Sequence, residues 1–139
     1  MATLHQQIGN WLGIPAPRTE QHILEVVEQQ LPTSSIKRLL SLGLTRSEVD
    51  ALVIPSRTLQ HRRSRRERLT VEESDRVLRV ARLLSLAESV YESRERALEW
   101  LRRIHPRLRN RTPLQMSKTD TGSRIVEELL AQIDEGMVV

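Results

Sequence analysis

The chain has 139 residues, 38% hydrophobic and 29% charged, with no cysteine, no phenylalanine, two tryptophans and one tyrosine. That size holds one ordinary domain or two small ones sharing a core. Without cysteine there are no disulfides, thiolate chemistry or zinc fingers, and so few aromatics argue against stacking single-stranded bases. The net charge of +4 is unevenly spread. Residues 1–35 carry one Arg and three Glu, residues 36–68 nine Lys or Arg and three acids, and residues 69–139 twelve of each sign. The excess positive charge therefore sits in one central segment, the footprint of a phosphate-binding surface on an otherwise neutral protein.

In chain order, residues 1–18 hold Gly9, Gly13, Pro15 and Pro17 around Trp11. They read as a loosely held arm, or as one whose Trp11 and Leu12 tuck onto the body. From Glu20 to Gln30, Ile23, Leu24, Val27 and Leu31 fall at helical spacing, and Pro32 stops the helix. Ser34 or Ser35 caps a second helix, with Ile36, Leu39 and Leu40 on its face and Gly43 at its end. Thr45 and Glu48 form a capping box, and Leu44 and Val49 a hydrophobic staple, for a short helix over about 45–52. Val53-Ile54-Pro55 break the chain, and a helix is predicted from Ser56 to about Arg66.

Thr70 and Glu73 repeat the capping box and open a long helix over 71–91, with Val77, Leu78, Ala81, Leu84, Ala87 and Tyr91 as its buried stripe. Ser93 caps a shorter helix with Ala97, Trp100, Leu101 and Ile104 inward, ended by Pro106. Arg107 to Arg111 read as a polar loop, and Thr112-Pro113 as a cap with proline at the first helical position. The last helix spans about 120–135, with Ile125, Val126, Leu129, Leu130 and Ile133 on one side and Gly136 as its stop. Gly122 reads as a close-packing site. No segment alternates like a strand, so the fold expected is all-α. The expected divisions are an arm over 1–18, a helix-turn-helix domain over 19–68 and a helical partner-binding or dimerisation domain over 69–139.

Two short helices joined by a tight break, the second loaded with arginine, describe a helix-turn-helix whose second helix enters the major groove. Its first turns carry Ser56, Arg57, Thr58, Gln60 and His61. Arginine can bind guanine O6 and N7 together, glutamine adenine N6 and N7, and serine or threonine either bases or phosphates. Leu59 should anchor the helix, while Arg62, Arg63, Arg65 and Arg66 follow as phosphate clamps. Operator double-stranded DNA is the expected ligand, and reading two half-sites requires a homodimer. A solvated Arg-rich face, an acidic protein partner or RNA are the competing readings.

No enzyme is expected. The histidines at 5, 22, 61 and 105 are scattered without metal-ligand spacing, no Gly-rich phosphate loop is present, and no cofactor is implied. The N-terminus is polar and no apolar run nears the ~18 residues that cross a bilayer, so a cytoplasmic location is expected. Taken alone, Met137-Val138-Val139 beyond Gly136 read as core filler or as an end inserted into a partner, with filler favoured.

A series of small motifs then carries a resemblance. Arg57-Thr58-Leu59 with Arg62-Arg63, then Leu69-Thr70 and Glu73-Ser74-Asp75-Arg76, are similar to the junction of the Xre/MbcA/ParS antitoxins. Ala97 with Trp100-Leu101, Thr112-Pro113-Leu114, Thr119, Gly122, Val126, and Ile133 with Gly136 resemble the same family's toxin-binding domain. The resemblance covers roughly residues 35–139. It implies an Xre-like helix-turn-helix domain followed by a helical toxin-binding domain in the antitoxin of a type II toxin–antitoxin pair. It further implies a RES-domain toxin, an NAD-consuming enzyme, as partner, occlusion of that toxin's cleft, and repression of the chain's own operon. By the resemblance, Arg124, Glu128, Gln132, Glu135, Gly136, Met137, Val138 and Val139 are expected to meet the toxin, which makes the tail a plug rather than filler. The loop His105–Arg111 is more basic than the family's, and Met116-Ser117-Lys118 replaces a more apolar run. A stand-alone dimeric helix-turn-helix regulator is the alternative function.

Overall fold

The computed structural model describes residues 4–12 and 19–136. Among them the chain is helical, and its only β feature is an isolated antiparallel bridge between His105 and Arg111. It divides into two compact units, residues 1–81 and 82–139.

The first unit begins with α1 (Leu4–Leu12), so part of the segment expected as an arm is helical. Ile8 is buried in α1, which packs on α3. The side chains of Trp11 and Leu12 lie outside the described residues. Helix α2 (Glu20–Glu28) starts where the Thr19 hydroxyl accepts the His22 N–H, and ends before Gln30, whose φ of 64° is left-handed. Leu24 is exposed, not part of the apolar face. Ile23, Val26 and Val27 point inward, and a helix turns about 100° per residue, which carries Leu24 out of that line.

Helix α3 (Ser34–Ser41) is capped by neither Ser34 nor Ser35. Thr33 is at the N-cap and makes no side-chain bond there. The face is as expected, with Ile36 and Leu39 fully buried. Gly43, at φ 112°, turns the chain into α4 (Arg46–Leu52), where both bonds of the Thr45–Glu48 capping box form. Leu44 and Val49 are both buried, as a staple requires. Val53 and Ile54 break the helix and are themselves buried, and α5 (Ser56–Ser64) follows.

Residues 67–76 lace this unit shut. The Leu69 N–H donates to the Leu31 carbonyl, the Leu31 N–H to Ser74 Oγ, and the Arg68 guanidinium to the Gln30 carbonyl. Arg76 reaches the Val53 carbonyl at 3.3 Å. The first half of α6 (Val71–Tyr91) therefore belongs to the unit of α2–α5, and the division falls after Ala81 rather than at Leu69 as expected.

In the second unit, residues 82–91 of α6 precede α7 (Arg94–Leu101), α8 (Pro113–Met116) and α9 (Asp120–Asp134). Each of these three has its threonine or serine cap. Ser93 accepts the Arg96 N–H, Thr119 that of Gly122, and Thr112 forms a capping box with Gln115. Leu83, Leu84, Ala87, Ala97, Leu101, Leu108, Val126 and Leu130 make an aliphatic core. Each of the fully buried leucines and valines among them contributes roughly 1.5–3 kcal/mol. Arg82 pairs with Glu127, tying α6 to α9. Ile104, expected inward, is 60% exposed because α7 ends at Leu101 and the helical stripe does not reach it. Ile125 is also exposed, since the inward line of α9 runs through Gly122, Val126, Leu129 and Leu130.

Candidate nucleic-acid and toxin interfaces

Beyond its Leu59 anchor, helix α5 is held at three points while most of its polar side chains stay open. Leu59 packs inward, as expected of the anchor. At the start, Asp50 of α4 accepts the Ser56 N–H at 2.7 Å, which joins the two helices of the pair. That backbone hydrogen bond, with a side-chain bond from Ser56, lowers the Asp50 pKa against a small opposing effect of burial. At the end, the Glu67 N–H donates to the Arg62 carbonyl and the Arg66 N–H to the Arg63 carbonyl. This is a Schellman closure, with Arg66 at φ 55° in the place usually taken by glycine.

The third hold is Arg62, expected as a phosphate clamp. Its guanidinium faces Glu73 through Nε at 3.2 Å and Nη2 at 3.3 Å. The same carboxylate accepts the Thr70 N–H at 2.8 Å in the capping box of α6. Burial alone would raise the Glu73 pKa, but the Arg62 hydrogen bonds, the Thr70 N–H and the Arg62 charge together lower it. The Arg62 pKa is raised, chiefly by the bond to Glu73 and then by its charge. Arg62 is thus a brace between α5 and α6.

Ser56, Arg57, Gln60, His61, Arg63, Arg65 and Arg66 are exposed, and Thr58 is half-buried. Arg57, Arg63, Arg65 and Arg66 form no ion pair among the described residues. Two cations missed in the sequence join them. An open cleft between α3, α4 and α5, floored by Ile36, Val49 and Leu59, is ringed by Lys37, Arg46 and Arg63. Lys37 and Arg46 lie in the basic segment, but only the packing of α3 and α4 brings them beside α5. Asp50 was also missed, because nothing local marks an acid that caps a helix six residues on.

In the second unit, Arg124, Glu128, Gln132 and Glu135 follow one face of α9, opposite its buried line. Arg124, Glu128 and Glu135 are exposed and Gln132 is half-buried. Arg124 pairs with Asp120 at 3.0 Å one turn away. Exposed Ile125 adjoins this face and gives it an apolar contact the sequence reading had assigned to the core. Gly136 has φ 86° and ends the helix as expected. Met137, Val138 and Val139 lie outside the described residues.

Gly122 lets α9 approach α8. A Cβ there would sit 2.0 Å from the Met116 carbonyl oxygen. Ser117 next to it is buried, with its hydroxyl donating to the Leu114 carbonyl at 2.6 Å.

Residues 22–82 match the model of the antitoxin Xre-like helix-turn-helix domain. Residues 86–136 match that of the antitoxin Xre/MbcA/ParS C-terminal toxin-binding domain. A protein named antitoxin Xre from Pseudomonas putida is 44% identical over 126 residues, covering 90% of this chain and 79% of its own. An antitoxin Xre from Yersinia enterocolitica is 27% identical across 98% of this chain and 93% of its own. A Sphingobium protein named Prs ADP-ribosylating antitoxin is 27% identical across 80% and 77%. With its helix-turn-helix unit followed by a toxin-binding unit, the chain belongs to the Xre/MbcA/ParS antitoxin family.

Proposed function

We propose that this antitoxin neutralises a RES-domain, NAD-consuming toxin by occluding its active site, and represses its own operon as a homodimer through α5. The observation that carries the DNA half is the open face of α5. Its first turns offer Arg57 and Gln60, whose side chains suit bidentate contacts with guanine and adenine. Arg63, Arg65 and Arg66, with Lys37 and Arg46 alongside, supply phosphate contacts. Arg66 supports this reading further, because a left-handed position favours glycine and the chain keeps a cation there at a conformational cost.

For the toxin half, the stripe Arg124–Glu128–Gln132–Glu135 with Ile125 is the contact surface, continued by Gly136 and the tail Met137–Val139 into the toxin's cleft. The mechanism is steric and stoichiometric, with no bond made or broken by the antitoxin. ADP-ribosylation uses NAD as its donor, so the name of the Sphingobium relative favours an NAD-consuming partner.

Co-expression with a RES-domain toxin tests the pairing, read as growth rescue and as the size of the purified complex. Rescue with a stable complex is expected. No complex, with operator binding intact, would leave a stand-alone regulator. Removing Met137–Val139 tests the plug separately, and undiminished rescue by the shortened chain would refute it.

A further inference from the structure

The second unit is near neutral as a whole, yet its charge is sharply sorted along the chain. From Trp100 to Thr119 there are five arginines, one lysine and no acid. Arg107, Arg109 and Arg111 fall within five residues, all exposed, and none forms an ion pair among the described residues.

Their loop is built, not slack. Pro106–Leu108 make a 3-10 turn, and Arg109 and Asn110 follow with φ of 55° and 59°, both left-handed. The His105 N–H donates to the Arg111 carbonyl and the Asn110 N–H to the His105 carbonyl, each at 3.1 Å. Leu108 is buried as the anchor, and the His105 ring sits 5.0 Å from that of Trp100. Two non-glycine residues in left-handed geometry cost conformational energy, and the hydrogen bonds and the Leu108 anchor hold them there. A loop backbone fixed in this way has little entropy of its own left to lose when the three guanidiniums bind.

Guanidinium forks match phosphate oxygens, and three arginines at alternate positions of one loop, with no interleaved acid, suit a row of phosphates better than the mixed surface of a protein. We propose that the Arg107–Arg109–Arg111 loop of the toxin-binding unit is a second phosphate-binding surface, gripping duplex DNA without regard to sequence. It belongs to a different unit from α5 and does not depend on the operator reading.

The test uses the full chain with α5 disabled by R57A/R63A/R65A and a short DNA duplex of random sequence, followed by fluorescence anisotropy across a salt series. Residual binding is expected, and adding R107A/R109N/R111A should weaken it at least about tenfold and flatten the salt slope by about two to three. Asparagine is used at 109 because it tolerates the left-handed backbone. R107E alone, at an exposed position with ordinary backbone, should weaken binding several-fold and covers the case in which the triple change fails to fold. Lysine at 107 and 111 should retain most of the affinity. The proposal is overturned if the α5-disabled chain has no residual affinity, or if the loop changes leave that affinity intact. Loss of toxin binding with duplex binding unchanged would make the loop a protein contact and overturn it equally.

Discussion

Helices α5 and α9 sit in different units and solve opposite problems. Helix α5 buries little beyond Leu59 and is held from outside, by Asp50 at its start, Arg62–Glu73 along its flank and a Schellman closure at its end. Helix α9 is held by its own buried line and by the close approach that Gly122 permits. With little apolar face of its own, α5 takes its position from Leu59 and those polar braces. A helix that docks on a protein can keep its core stripe and use the opposite face. The lesson is that α5 should be sensitive to charge and α9 to shape.

The largest effect is expected where shape decides. Gly122→Ala drives a Cβ into the Met116 carbonyl, which should destabilise the second unit by about 3 kcal/mol or more. Thermal unfolding would show this, and an unchanged melting temperature would remove the shape argument.

Next comes the brace. Arg62→Ala leaves the buried Glu73 carboxylate with one partner fewer and should cost roughly 2–3 kcal/mol. The effect should depend on pH. The Glu73 pKa is lowered from the ordinary value of 4.5, so its contribution is fully present above that value. It fades as pH falls through the lowered native value. Without Arg62 the contribution should shrink and the acid transition move to higher pH, measured by denaturant unfolding from neutral to acidic pH.

On the DNA side, Arg57→Ala should weaken operator binding by ~1–3 kcal/mol and relax one base position, seen by comparing operator variants. Arg65→Ala should weaken all sequences alike and reduce the salt slope by about one. Equal effects of the two on operator and random duplex would erase the distinction between base and phosphate contacts.

The smallest effect has opposite signs in two assays. Arg66→Gly relieves a left-handed arginine and should stabilise the first unit by about 0.5–1 kcal/mol. The same change should weaken duplex binding. A gain in stability with no loss of affinity would mean Arg66 makes no phosphate contact.

Which of these features could be read from the sequence follows the distance over which each is specified. The capping boxes at Thr45–Glu48, Thr70–Glu73 and Thr112–Gln115 are local bonds, and the first two were legible in full. Gly43 and Gly136 were legible as stops for the same reason. The Arg62–Glu73 brace was not, since a charge run gives no sign of which arginine turns back into the protein. Ile104 and Ile125 were misplaced because periodicity sets a stripe but not where the helix ends or how it is rotated. Helix α1 was hidden by its surroundings. Leu4, Ile8, Trp11 and Leu12 have helical spacing, but Gly9 and the prolines that follow suggested a loose arm.

The most direct test of the two-interface account measures both affinities of a single variant. The full chain carrying R57A/R63A/R65A is titrated against the DNA upstream of its own gene and against the RES-domain toxin. The account predicts that operator affinity falls at least about a hundredfold, while toxin affinity is unchanged. Operator affinity left near that of the unchanged chain, or toxin binding lost along with it, would contradict the account.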